Sequence, residues 1–298
     1  MSVKHEIKTG FEEAPPHVSK ARRFLKVFFS RIIVVFGSIV ILAMILMAIF
    51  APFIAPYQPD KIDMANGLLQ PNRHHLLGTD FHGRDTLSRV IFGTRISLLI
   101  GIAAVSMAAI IGMGLGLLAG YVGGNTNAIL MRLIDAIMAF PGLLLVLIIA
   151  TMLGNGLRNI IIALSVGMIP GFARLTRGQV ISLIENEYIL AGRAMGASNL
   201  RIMLFHLLPN CFPVLIVSFT MLLGMTILAE AGLSFLGAGV PPPTPSWGSM
   251  VSDGYRYLTT NPVLSIAPGL AVMLLVFAFN MVGDGLRDAL DPRLRGTL

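Results

Sequence analysis

The chain has 298 residues, of which 55% are hydrophobic and 12% charged, against roughly a quarter charged in an ordinary soluble domain. So few charges cannot coat a soluble globule, and the composition points to a bilayer as solvent. The net charge of +7 does not form a nucleic-acid-binding face: Lys4, Lys8, Lys20, Arg22, Arg23, Lys26 and Arg31 crowd ahead of the first apolar run, as in a cytoplasmic flank.

Residues 1–31 read as a cytoplasmic tail. They carry Glu12 and Glu13 and lead into a retained helix, without the form of a cleaved signal peptide. A crossing helix needs about 20 mostly apolar residues. The first span is expected over 32–56, ending at Pro52 and Pro56 with Tyr57 at the interface. A polar outer loop follows over 57–95. A core over 96–290 then holds five more spans.

The second span is expected from Ile96 to Tyr121. Its small residues Gly101, Gly112, Gly114, Gly116 and Gly120 let helices approach closely. The third is expected from Ala136 to Leu153, with Pro141 near its start. The fourth covers Asn159 to Ala173, with Arg174 and Arg177 snorkelling at its cytoplasmic end. The fifth covers Pro213 to Leu236 and the sixth Val263 to Val282, with Pro268 near the entrance of the latter. Residues 291–298 are a cytoplasmic tail. The expectation is an all-α membrane protein of about six transmembrane helices, both termini inside, because the inner pieces then hold 15 of the 22 Lys and Arg residues. The single cysteine, Cys211, excludes an internal disulfide and reads as a small packing residue.

Two polar stretches need a reason. Between spans four and five, residues 179–209 place Ile189, Ala194 and Ala197 near one face of a short helix. Gly192 and Gly196 strip side chains from a stripe, and Ser198 and Asn199 can cap the next helix. This is a membrane-parallel hairpin that either connects two spans or receives another protein. In the outer loop, Gly78 and Gly83 mark turns and the acids can pair with neighbouring arginines. A metal site from His74, His75, Asp80 and His82 is conceivable, but the spacing fits no standard template.

Several further residues invite a role. Glu230, within span five, faces either a translocation path or a neighbouring helix through a hydrogen bond. Asp135 reads as a helix-end ion pair with Arg132. Asp284, between two glycines, reads as the end of the last helix, and Trp247 as an interfacial anchor or loop-packing residue.

The run Ala191-Gly192-Arg193-Ala194-Met195-Gly196-Ala197-Ser198, followed by Leu208-Pro209-Asn210, resembles the cytoplasmic EAA loop of ABC-importer permeases. Leu190 stands at that loop's glutamate position and Gly192 at its second alanine. The outer stretch around Gly78, Thr79, Asp80, Gly83, Arg84 and Asp85 is similar to the C-type (second) permease of dipeptide, oligopeptide and nickel importers. So are Met131–Asp135 with Phe140-Pro141, Leu233–Gly237, Pro241–Gly248 and Gly283–Asp288. Five such pieces occur in the family's order, from about residue 30 to the end.

The resemblance implies the MetI-like fold of type I ABC importers. It also implies a heteromeric complex in a bacterial or archaeal cytoplasmic membrane: a second homologous permease, two ATPase subunits and an external solute-binding protein. The hairpin would couple to the ATPase through Glu187, Ala191, Gly192, Ala194, Gly196 and Ala197. The chain has no G-x-x-x-x-G-K-[ST] loop, so it would carry no cofactor itself, and ATP and Mg would bind the partner ATPases. Without an H-E-x-x-H or G-x-S-x-G motif, no enzyme is expected. The competing class is an ion-gradient-driven carrier or channel, for which an internal repeat and several midplane acids are expected.

Overall fold

A computed structural model describes residues 20–290. The expected tail segments 1–19 and 291–298 lie outside the described residues. Among the described residues the chain is helical, with no named strand. In order the helices are α1 (Lys20–Phe28), α2 (Ile32–Ile54), α3 (Thr86–Val122), α4 (Gly124–Met138), α5 (Gly142–Leu153), α6 (Leu157–Leu183), α7 (Glu187–Ala194), α8 (Asn199–Arg201), α9 (Leu208–Phe235), α10 (Trp247–Tyr255) and α11 (Val263–Leu290). A π-helical turn over Ile202–Leu207 joins α8 to α9.

Five of the helices are long and apolar enough to cross a bilayer, or six if α4 and α5 count as one span. Those two meet at 88°, around Pro141, which caps α5. Proline supplies no N–H and bars helical backbone from the residue before it. The expected straight span Ala136–Leu153 is therefore a broken one. Three other boundaries also move. α3 begins at Thr86, so Arg89 and Arg95 belong to a helix and the loop is shorter than 57–95. α6 runs on to Leu183 and carries Arg174 and Arg177 inside it. α11 continues through Asp284 to Leu290, so Asp284 does not end it.

Small residues set the packing. On α3, a Cβ at Gly112 would meet Phe172 Cβ at 2.6 Å, at Gly116 Thr176 Cβ at 2.7 Å, and at Gly120 Val180 Cβ at 2.8 Å. Residues four apart lie on one helix face, so this stripe seats α6 against α3 backbone to backbone. In lipid, where tails are as apolar as leucine, such close packing is what drives helix association. Gly114 lies off the stripe and would meet nothing. The α11 glycines act likewise: Gly283 faces Met221 of α9, and Gly285 faces Val34 of α2. Both are buried while Asp284 between them is exposed.

α3 and α6 run parallel, which fixes two ends of the bundle. The end at the start of α3 carries the 57–85 loop and α10. The end at its finish carries the hairpin around α7, where Tyr121 donates to Asn199 Oδ1 at 2.8 Å and the Arg193 guanidinium lies over the Tyr121 ring. α2 is peripheral, with Ile32, Ile39 and Phe53 exposed as a lipid-facing helix requires. Cys211 is buried in the core, as its apolar surroundings predict.

Candidate functional site

At the hairpin end, α7 closes with a left-handed glycine. Gly196 has φ +80°, its N–H bonds to the Arg193 oxygen at 2.9 Å, and the Ala197 N–H reaches Gly192 at 3.1 Å. This is the Schellman closure, which favours glycine at that position. Ser198 then caps α8, its hydroxyl accepting from the Arg201 N–H. Ile189, Ile202 and Leu207 are fully buried and fasten the hairpin to the bundle.

Of the six hairpin residues expected to dock on an ATPase, four are exposed. Glu187, Ala191, Ala194 and Gly196 are exposed, Ala197 is half-buried, and Gly192 is buried. A Cβ at Gly192 would still meet no atom of another element. Around the small residues stand exposed apolar side chains: Leu190, Met195, Leu200 and Phe205. A rigid, shallow apolar plate of this kind suits another protein's surface.

At the opposite end, the 57–85 loop is a hydrogen-bonded cap. Asp80 Oδ1 accepts from the N–H groups of His82 and Arg84, both at 2.9 Å, and Oδ2 from Arg84 Nε at 2.6 Å. Asp85 is the N-cap of α3; Oδ2 accepts from the Ser88 N–H at 2.8 Å and Ser88 Oγ at 2.7 Å, while Oδ1 holds His75 Nδ1 at 2.9 Å. Thr79 is fully buried, its hydroxyl donating to the Asn66 oxygen. Gly78 and Gly83 both have positive φ and back onto the main chain of Leu69 and Asp63. These contacts draw the six outer-loop residues into one lattice. His75 and Asp80, considered above as metal ligands, are engaged with Asp85 and Arg84 instead.

The cap is stapled to the rest of that end. Arg89 donates from Nη1 to Pro59 at 3.0 Å and Pro243 at 3.4 Å, and Gln70 Nε2 donates to Thr260 at 2.6 Å. Trp247 is completely buried; its indole N–H donates to Val90 at 2.9 Å and its ring faces Gly93. It is a packing residue, not an interfacial anchor.

Glu230 is fully enclosed. Ser234 Oγ donates to its Oε1 at 2.7 Å, Ser246 Oγ reaches Ser234 at 3.3 Å, and Ser97 of α3 also faces the carboxyl. Among the described residues its hydrogen bond thus stays within α9, Ser234 passes the link on to Ser246 at the N-cap of α10, and Glu230 does not line the apolar groove formed by Gly142, Val146, Gly167 and Met225. Asp135 pairs with Arg174 of α6 rather than Arg132. Beside it, Arg177 Nε donates to Asn127 at 2.6 Å, and together these contacts tie α4 to α6.

Sequence reading missed a recess at the cap end. It measures about 200 Å³ and is lined by Arg84, Arg89, Ser234, Thr244, Ser249 and Asp253, among others. Asp253 lies on α10, and burial raises its carboxyl above the usual range, with Arg84 and Arg89 opposing. An acid two residues before a tyrosine in a short loop helix gave no signal.

The structure is a polytopic helical bundle with a folded cap at one end and an exposed hairpin at the other. The chain belongs to the family described as binding-protein-dependent transport system inner membrane component, whose model matches residues 112–296. Residues 19–71 match the N-terminal transmembrane domain of oligopeptide transport permease C. It is 42% identical to a dipeptide transport system permease protein (DppC) of Alkalihalophilus pseudofirmus, over 93% of this chain and 91% of that one. It is 41% identical to a glutathione transport system permease protein (GsiD) of Pectobacterium atrosepticum, over 92% and 91%. Its fold is similar to a chain of the inward-facing MetNI methionine ABC transporter: TM-score 0.55 and 23% identity, covering 69% of this chain and 97% of that one. The chain is thus a C-type permease subunit of an ABC importer, a multi-pass inner-membrane protein that works with ATPase and solute-binding subunits.

Proposed function

We propose that this chain forms half of the translocation path of an importer for short peptides or similar small solutes, the other half being a second homologous permease. Two ATPase subunits bind ATP and Mg and grip the permeases, this one at the exposed face of Ala191, Ala194 and Gly196. Both termini then lie in the cytoplasm, the cap faces outward, and the binding protein delivers solute there. The membrane is the cytoplasmic membrane of a bacterium or archaeon. The chain performs no chemistry of its own.

The observation that carries this reading is the rigid hairpin, fastened by buried Ile189, Ile202 and Leu207 yet presenting small residues outward. Slack in that element would absorb the ATPase stroke; rigidity passes it on to the bundle. The dipeptide and glutathione permeases among the relatives support the solute class.

Uptake of a labelled dipeptide into proteoliposomes tests the proposal. The expected result is uptake that requires the ATPase subunits and ATP and persists when ion gradients are collapsed. Uptake by this chain alone, driven by a gradient, would overturn it in favour of a secondary carrier.

A further inference from the structure

The recess between the start of α3, α10 and the 237–246 loop has walls of both signs. Arg84 and Arg89 each keep about 95% of the side chain buried. A guanidinium offers five N–H donors. Arg84 uses only Nε, on Asp80, and Arg89 uses Nη1 on two carbonyls with Nε 3.7 Å from Asp80. Among the described residues the remaining terminal nitrogens have no protein acceptor. None of these nitrogens is sealed off from solvent, so they are open to a ligand's acceptor, and guanidinium is shaped for carboxylate.

Across the recess, Asp253 has the converse deficit. It is partly buried, yet among the described residues it has no ion pair within 4.0 Å and no hydrogen bond. A ligand that is only an anion would meet its repulsion, and one that is only a cation would meet two guanidiniums. Thr244 and Ser249 also line the recess. About 200 Å³ takes a group the size of one amino-acid residue or two small ones.

We infer that this recess is a binding subsite for a small zwitterion, its carboxylate against Arg84 and Arg89 and its ammonium against Asp253. Ser234, on the same wall, donates to Glu230 and accepts from Ser246, so an occupant would touch the hydroxyl that links α9 to the start of α10. The inference rests on the importer reading and deepens it by naming a place on the permease that reads the solute after delivery.

Equilibrium dialysis of labelled L-alanyl-L-alanine against the detergent-solubilised permease–ATPase complex, with the binding protein absent, tests it. Dialanine should bind, while its N-acetylated and C-amidated forms bind at least tenfold more weakly. Asp253→Asn, which breaks no hydrogen bond or close ion pair among the described residues, should erase the preference for the free amine. Thr244→Phe, which narrows the recess without touching its charges, should abolish binding. No binding to the wild-type complex, acetate competing as well as dialanine, or either variant behaving as wild type would each overturn the assignment. ATP-dependent uptake by the complete importer reports the proposed function, so either reading can fail without the other.

Discussion

The indole N–H of Trp247 donates to the main-chain oxygen of Val90 at 2.9 Å, and so joins the short helix α10 to the first turns of α3. The ring lies against Gly93, where a Cβ would come within 2.7 Å of it. Trp247→Phe keeps most of the volume and loses the bond, an expected cost of about 1 kcal/mol. Gly93→Val forces the ring away and should cost about 1–3 kcal/mol by overpacking. Thermal unfolding of the detergent-solubilised complex should rank wild type, Trp247→Phe and Gly93→Val in that order of falling stability.

Glu230 distinguishes a structural acid from a conducting one. A buried hydrogen-bonded carboxyl can be replaced by its amide with little loss if its negative charge is not used. Glu230→Gln can still accept from Ser234 and should leave stability within about 1 kcal/mol of wild type and uptake unchanged. Glu230→Leu leaves the buried Ser234 hydroxyl without its acceptor and should destabilise by about 1–3 kcal/mol. Loss of uptake in a stably folded Glu230→Gln protein would instead place the charge in the transport cycle.

The Asp135–Arg174 pair is half-exposed at both partners. Exposed ion pairs contribute little, typically about 0–1 kcal/mol. Asp135→Ala should therefore shift the unfolding midpoint only slightly, with added salt shrinking the difference further. A large loss of stability would mean that the pair, together with Arg177 and Asn127, is shielded inside the assembled complex.

Asp80 is different, because it is engaged on both oxygens and its partner Arg84 is buried. Asp80→Ala strands a buried guanidinium and two backbone N–H groups, at an expected cost of about 3–5 kcal/mol. Limited proteolysis should show cleavage in the 57–85 loop of the variant and none there in the wild type.

The apolar runs made the number of crossings legible, but not their joints. α3 was entered late because Arg89 and Arg95 look like loop residues. The signal that corrects this was present: Asp85 three residues before Ser88 is an N-cap pattern, and the structure makes that bond. Pro141 sat near the start of one expected span, and the 88° break there depends on how α5 returns against α6. Asp284 reads in sequence as a helix end, whereas the glycines on either side of it are contact points for Met221 and Val34 inside a continuing helix. Partners distant in sequence, such as Asp135 with Arg174 or Ser97 with Glu230, follow from helix packing that no local pattern encodes. At the hairpin, spacing places Ile189 and Ala194 near one face, whereas the structure buries Ile189 and turns Ala194 outward. Gly196 proved to have a backbone reason for being glycine, its φ of +80°. A side chain there would disturb the hairpin whether or not anything docks.

That last point selects the decisive variant. Ala191 is exposed, lies within α7 and has ordinary helical backbone, so Ala191→Trp adds bulk to the plate without straining the fold. The measurement is solute-stimulated ATP hydrolysis by the reconstituted complex with binding protein, wild type against Ala191→Trp. If the hairpin couples the ATPase to the permease, stimulation falls at least tenfold while the variant chain remains inserted and folded. Unchanged stimulation would contradict the account and leave the hairpin a connector between α6 and α9.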